Sequence, residues 1–171
     1  RIALAGAGVI GREHCTLITG HPGAEIAGIA DPAPAARALA ESLGVPHFGD
    51  LDTMLDAVNP DGAIVALPTA LHKAAALACI ERGIPSLMEK PVAATLADAF
   101  EMARASEAAG VPILVGHHRR HSSDIREARR VVQSGKLGRI VTVSGMSWVD
   151  KPDSYFDIAW RREPGGGTLL I

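Results

Sequence analysis

Continuous apolar runs alternate with helix-patterned stretches from Ile2 to Val115, and this alternation constrains the fold more than any compositional value does. Ile2–Ala5, Ala24–Ala30, Ala63–Leu67, Ile84–Met88 and Val111–Val115 read as strands without polar alternation. A strand that is apolar on both faces belongs in a parallel sheet covered by helices on both sides. The intervening segments predict helices over Val9–Thr19, Ala35–Leu43, Leu51–Val58, Leu71–Arg82 and Leu96–Ala109. Gly44, Gly83 and Gly110 stand where three of these should stop, and Asn59-Pro60-Asp61-Gly62 reads as a turn. Short connections with right-handed crossovers then give a doubly wound α/β fold.

After Gly116 the pattern changes. His117-His118-Arg119-Arg120-His121 opens a basic stretch, Ser123–Ser134 reads as a helix, and Ile140–Trp148 alternates like the first strand of a different sheet. Val149–Gly167 reads as loop. The expected organisation is a dinucleotide-type domain over residues 1–118, followed over 119–171 by the start of an incomplete α+β domain for substrate and oligomer contacts. The chain opens at Arg1 directly on an apolar run and stops at Ile171 inside Thr168-Leu169-Leu170-Ile171, so the expectation is a truncated chain, inactive alone.

The 171 residues suffice for one well-buried domain and part of a second. With 47% hydrophobic and 21% charged residues the chain reads as globular, and a formal net charge of −2 supplies no global reason to expect nucleic acid or an anionic membrane. No apolar run approaches the roughly 18 residues that span a bilayer. Cys15 and Cys79 make no disulfide or metal framework, which suits a reducing, cytoplasmic setting.

Gly6-Ala7-Gly8-Val9-Ile10-Gly11 is a G-x-G-x-x-G sequence placed after a strand and opening a helix. Gly6 permits a tight turn, Gly8 lets backbone approach a diphosphate, and Gly11 lets the helix pack close to the sheet. The helix start at Val9 and Ile10 offers free N–H groups and the positive end of the helix dipole. This is the phosphate loop of a Rossmann sheet. Asp31 follows Gly11 by 20 residues, at the end of the second strand. A carboxylate there can accept from both adenosine ribose hydroxyls and repels a 2′-phosphate, so NAD is expected, with NADP possible. The bland alternative for Asp31 is a helix cap before Pro32.

Polar or special residues also follow the other strands: Pro68-Thr69 with His72, Glu89-Lys90-Pro91, and His117-His118. Ligands of open α/β sheets bind beyond those carboxyl ends. Together with Trp160-Arg161 and Gly165-Gly166-Gly167, and with Gly116 to Arg120, these residues make the chain resemble the Gfo/Idh/MocA family of sugar and cyclitol oxidoreductases. Glu89-Lys90-Pro91 is the most specific element of the likeness. The resemblance implies an NAD(P)-dependent dehydrogenase acting on a CH–OH group, with Lys90 as catalytic residue reaching the nicotinamide ribose and the reacting hydroxyl. It also implies a cis peptide before Pro91, cofactor contacts from Pro68, Thr69, His72, Glu89 and His118, and a homo-oligomer, dimer or tetramer, when full length.

An ammonium at such a site steadies a developing alkoxide and can relay the hydroxyl proton. A solvated lysine in a turn is the alternative for Lys90, and Glu89 either tunes it or forms a surface ion pair. The family places an Asp beyond the triple glycine and a His four residues on. Here Ile171 occupies that Asp position. A non-catalytic NAD-binding sensor is therefore the second reading, and a dehydrogenase of an aromatic dihydrodiol or an amino-bearing substrate a third. No metal site is expected, since His117, His118 and His121 lack acidic or Cys partners. The basic residues Arg119 to Arg139 are diluted by Asp124 and Glu127 and suit a solvated helix face rather than nucleic acid. Trp148, Tyr155 and Trp160 either line a sugar site or pack the second domain.

Overall fold

The computed structural model of the chain describes residues 1–146 and 148–162, apart from the side chain of Trp160. Six strands form one parallel sheet: β1 (Ile2–Ala5), β2 (Ile26–Ala30), β3 (His47–Phe48), β4 (Gly62–Val65), β5 (Ser86–Met88) and β6 (Ile113–Val115). Their order is β3-β2-β1-β4-β5-β6, so the chain reverses direction across the sheet between β1 and β4. The crevice at that reversal is where doubly wound sheets take their ligands.

Helices α1 (Val9–Thr19), α2 (Pro34–Leu43), α3 (Leu51–Val58), α4 (His72–Glu81) and α5 (Leu96–Ala109) alternate with the strands. Cys15 and Ile18 of α1 and Ala36 and Ala40 of α2 pack with Leu4, Ile26 and Ile29. Met54, Leu55 and Val58 of α3 pack with Cys79 of α4 against Ala3, Ala27 and Ala63. Ala75 and Ala76 of α4 and Met102 of α5 close the core over Val65 and Met88. The small strand residues Ala3, Ala27, Gly28 and Ala63 let the helices lie close to the sheet. Asp50 caps α3 by accepting from the Thr53 N–H, and Thr95 caps α5 by accepting from the Asp98 N–H.

The elements fall close to where the sequence places them, β2 starting at Ile26 rather than Ala24 and β4 ending at Val65 rather than Leu67, with further differences elsewhere. β5 and β6 are shorter than expected because Pro85 and Pro112 cannot donate: each offers only its carbonyl, to Ala63 and Ser86 respectively, and the strand begins one residue later. The two-residue edge strand β3 is too short to leave a periodic signal, and a 3₁₀ turn over Thr69–Leu71 precedes α4. The strand expected over Ile140–Trp148 is not formed among the described residues. An alternating run needs a ladder partner, and here Val141, Val143, Met146 and Trp148 are all more than 80% exposed. Helix α6 (Ser123–Gln133) forms as expected but buries no residue. Among the described residues no helix is long and apolar enough to cross a membrane.

Two consequences are measurable. Met54 is fully buried, so Met54→Ala should cost about 2–5 kcal/mol in denaturant unfolding of the intact protein. Burial pushes the Cys79 thiol up to about 11. Its thiolate is therefore scarce at pH 8, and mass spectrometry after alkylation should find Cys79 unmodified until denaturant opens the fold.

Candidate functional site

The site is built at the carboxyl ends of β1, β2, β4, β5 and β6. At the first, Gly6 turns the chain with φ +90°, and a side chain there would come within 2.5 Å of the Ala66 carbonyl oxygen. Gly11 is buried against the same turn, where a Cβ would overlap the Gly6 carbonyl oxygen. The two contacts fix the start of α1 hard against the strand end. Gly8, by contrast, is exposed, with nothing within 4 Å of a would-be Cβ, so the space above its backbone is open. No side chain caps α1, and its first turn carries no acidic residue. The N–H groups at the exposed helix start, at Val9 and Ile10, therefore stand beside an open space at the positive end of the helix dipole. That is the chemistry a diphosphate requires.

Asp31 is pinned beside it. One carboxylate oxygen accepts the Ala7 N–H at 2.8 Å and the other accepts the Ala33 N–H at 2.8 Å. The Asp31 N–H donates to the Phe48 carbonyl at 3.0 Å, and its own carbonyl accepts from His47 Nε2 at 2.9 Å. Asp31 is thus more than a cap before Pro32, since it bridges the phosphate loop and the β2 end. Each carboxylate oxygen keeps a lone pair for a ribose hydroxyl. His47 was not foreseen as a site residue, because its role follows from the short edge strand.

On the other side of the crevice, Pro68 is half-buried and Thr69 buried in the turn after β4. Glu89, Lys90 and Pro91 follow β5, with a cis peptide between Lys90 and Pro91. Lys90 is exposed, and among the described residues no carboxylate forms a salt bridge with it. The surface-pair reading of Glu89 and Lys90 is corrected here: Glu89 Oε1 lies 3.0 Å from His14 Nε2 on α1, and Oε2 accepts the Lys90 N–H at 3.1 Å. Glu89 therefore faces protein rather than the open crevice.

His72 is a second correction. Its ring is 1% exposed, with Nδ1 2.9 Å from the Pro91 carbonyl and Nε2 2.9 Å from the Leu67 carbonyl. A ring enclosed by backbone on both sides supports the two loops and presents nothing to a cofactor. His118 is exposed beyond β6, at the start of a 3₁₀ turn over His118–His121. Among the described residues no group of His, Cys, Asp or Glu could hold a metal ion. Tyr155 packs locally, edge-on to Phe156 and 4.0 Å from the Arg161 guanidinium, while Trp148 is exposed. The Trp160 side chain, Gly165 to Gly167 and Ile171 lie outside the described residues.

An open, uncapped helix start beside a pinned carboxylate fits a nicotinamide dinucleotide. Residues 1–117 match the Gfo/Idh/MocA sequence profile, described as an oxidoreductase family with an NAD-binding Rossmann fold. The chain belongs to that family. Among its Gfo/Idh/MocA relatives, the rhizopine catabolism protein MocA of Rhizobium meliloti is 29% identical over 170 residues, which is 99% of this chain and 52% of that protein. Inositol 2-dehydrogenase 2 of Saccharopolyspora erythraea is 36% identical over 142 residues, 81% of this chain and 42% of that one. The crystal structure of the WlbA dehydrogenase from Bordetella pertussis, in complex with NADH and UDP-GlcNAcA, superposes with a TM-score of 0.77 at 30% identity. That match covers 81% of this chain and 43% of WlbA. The chain thus spans about half the length of the relatives it matches.

Gly6→Ala tests the phosphate loop. The substitution places a Cβ against the Ala66 carbonyl in a left-handed conformation, so NADH fluorescence titration of the intact protein should show saturable binding lost or weakened at least tenfold.

Proposed function

We propose that the intact protein is an NAD-dependent dehydrogenase of a hydroxyl on a sugar, cyclitol or similar small polar substrate. The observation that carries this reading is the Lys90 amine: exposed at the crevice, on a braced turn, with no carboxylate partner among the described residues. A lysine paired on the surface would have its charge committed, whereas this one is available to a ligand. The first turn of α1 would hold the diphosphate and Asp31 the adenosine ribose, with Pro68, Thr69 and His118 bordering the rest of the dinucleotide. When bound, the nicotinamide supplies the hydride acceptor.

The protein's own part is electrostatic and positional. The Lys90 ammonium steadies the negative charge that develops on the substrate oxygen as its carbon is oxidised. In its neutral form the same amine takes the hydroxyl proton, so one group serves both needs. Asp31 selects NAD over NADP by facing any 2′-phosphate with a carboxylate already fixed by two N–H groups. The substrate class is supported by relatives named for inositol and by the nucleotide-sugar complex of WlbA.

Residues 119–171 are proposed as the opening of a second domain that lines the substrate cleft and carries homo-oligomer contacts. The exposed apolar side chains from Val141 to Val149 support this, being surface that a further layer would cover. A cytoplasmic location fits two reduced, buried cysteines.

Lys90→Ala should lower kcat by about a hundred- to ten-thousandfold in a polyol-dependent NADH absorbance assay, while NADH affinity stays within a few-fold. Unchanged turnover would refute the role given to Lys90. Asp31→Ala should raise the NADH dissociation constant about tenfold or more and narrow the preference over NADPH, both read by fluorescence titration. Tight NADH binding without turnover across a polyol screen would favour the sensor reading, which the Ile171 departure from the family's Asp motivates.

A further inference from the structure

His14 lies three residues beyond Gly11, on the inward stripe of α1 that also carries Cys15 and Ile18. The stripe is otherwise small or apolar, and a histidine there needs a partner. It finds Glu89 across the sheet edge, at 3.0 Å, with only 15% of the His14 side chain and 14% of the Glu89 side chain exposed. A carboxylate only accepts, so the ring nitrogen is the donor in this bond. The second Glu89 oxygen takes the Lys90 N–H.

Gly116, beyond β6, leaves the room this requires. A Cβ at that position would stand 3.1 Å from Glu89 Oε1. The Glu89 N–H is itself held by the Val65 carbonyl at 2.9 Å. From the opposite face of the sheet, His72 holds the Pro91 carbonyl. The residue that carries the amine is therefore braced on both flanks, and on one of them the brace runs back to the helix that opens at the phosphate loop.

We propose that His14 is a positioning residue: through Glu89 it fixes the backbone from which the Lys90 amine extends, and so sets that amine relative to the dinucleotide cradle at the start of α1. The inference rests on the reading of Lys90 given above. Its physical basis is that displacement of a reacting group by about 1 Å can cost a hundredfold in rate, even where the change is remote from the chemistry. Without His14, Glu89 keeps a largely enclosed carboxylate oxygen with no side-chain donor. The carboxylate then turns outward, where the nearest cation along the chain is the Lys90 ammonium. Such a pair would engage the amine that the reaction needs.

The test uses the intact protein, with myo-inositol and scyllo-inositol as probes for turnover, NADH fluorescence for affinity, and hydrogen exchange of the amides at residues 88–90. His14→Ala should lower kcat about ten- to a hundredfold with NADH affinity and polyol KM within about threefold, and should speed exchange at the Lys90 amide. His14→Gln, whose amide can donate to Glu89, should recover kcat to within about threefold of the parent. Adding Glu89→Gln to His14→Ala should cost little more than His14→Ala alone, because both remove one interaction.

Unchanged kcat in His14→Ala overturns the proposal, as does unchanged exchange at residues 88–90 or an equal loss of NADH affinity. Exchange alone decides the matter if neither inositol is oxidised. Lys90→Ala separates the two levels of inference. If it retains turnover, the reading of Lys90 fails and the positioning role falls with it. If it abolishes turnover while His14→Ala does not, only the role of His14 is lost.

Discussion

The close approach of Gly11 of α1 to the Gly6 carbonyl, where no Cβ would fit, determines how the start of α1 stands at the crevice. With a side chain at either position the helix would be pushed off the strand end. The Ala7 N–H would then miss Asp31, and His14 would no longer reach Glu89. Two glycines thus do more than admit a ligand. They place one helix so that its first turn, its adjoining loop and its buried face each meet a different loop of the sheet edge.

The sheet enforces this in return. Because β1 and β4 are adjacent while β2 and β5 lie outside them, the loops after β1, β2 and β5 converge around the start of α1. Asp31 belongs to the β2 loop and Glu89 to the β5 loop, so α1 is gripped from both sides of the reversal. His72 adds a third contact between the loops after β4 and β5, its two ring nitrogens each lying 2.9 Å from a backbone carbonyl, of Pro91 and Leu67. Ties to backbone do not depend on a long side chain finding one geometry, so they suit parts that must stay still.

Much of this was legible in the sequence for a physical reason. Buried parallel strands must be apolar on both faces, and helices between them must stop, so Ile2–Ala5 or Leu96–Ala109 announces itself by run length and by a following glycine. Gly6 and Asp31 were legible because each sits at a strand end, Gly11 because it completes the glycine spacing at the helix start, and Lys90 as a candidate through the Glu-Lys-Pro likeness. What a linear reading missed depends on pairing in space. β3 consists of two residues recruited by β2, and His47 matters only because that strand exists. His14 left one trace, a polar residue on an otherwise apolar helix face, but its partner lies 75 residues away. The Ile140–Trp148 run erred in the other direction: it has strand composition, yet a strand is a property of two segments and the described residues supply no second one.

Charge at the crevice follows the same logic of local completion. A carboxylate near a diphosphate is unfavourable unless its charge is already spread over donors. Asp31 meets this condition with two backbone N–H groups, and Glu89 with one N–H and the His14 ring. Each acid is therefore internally satisfied where it faces the protein. Beside the lone pairs that Asp31 keeps, the groups open to the crevice are the uncapped start of α1 and the exposed Lys90 amine. An anionic cofactor and a substrate oxygen gaining negative charge are the two species such an edge would favour. The first helix presents its uncapped start at this edge and touches the β5 loop through the His14–Glu89 bond, so one element meets both groups.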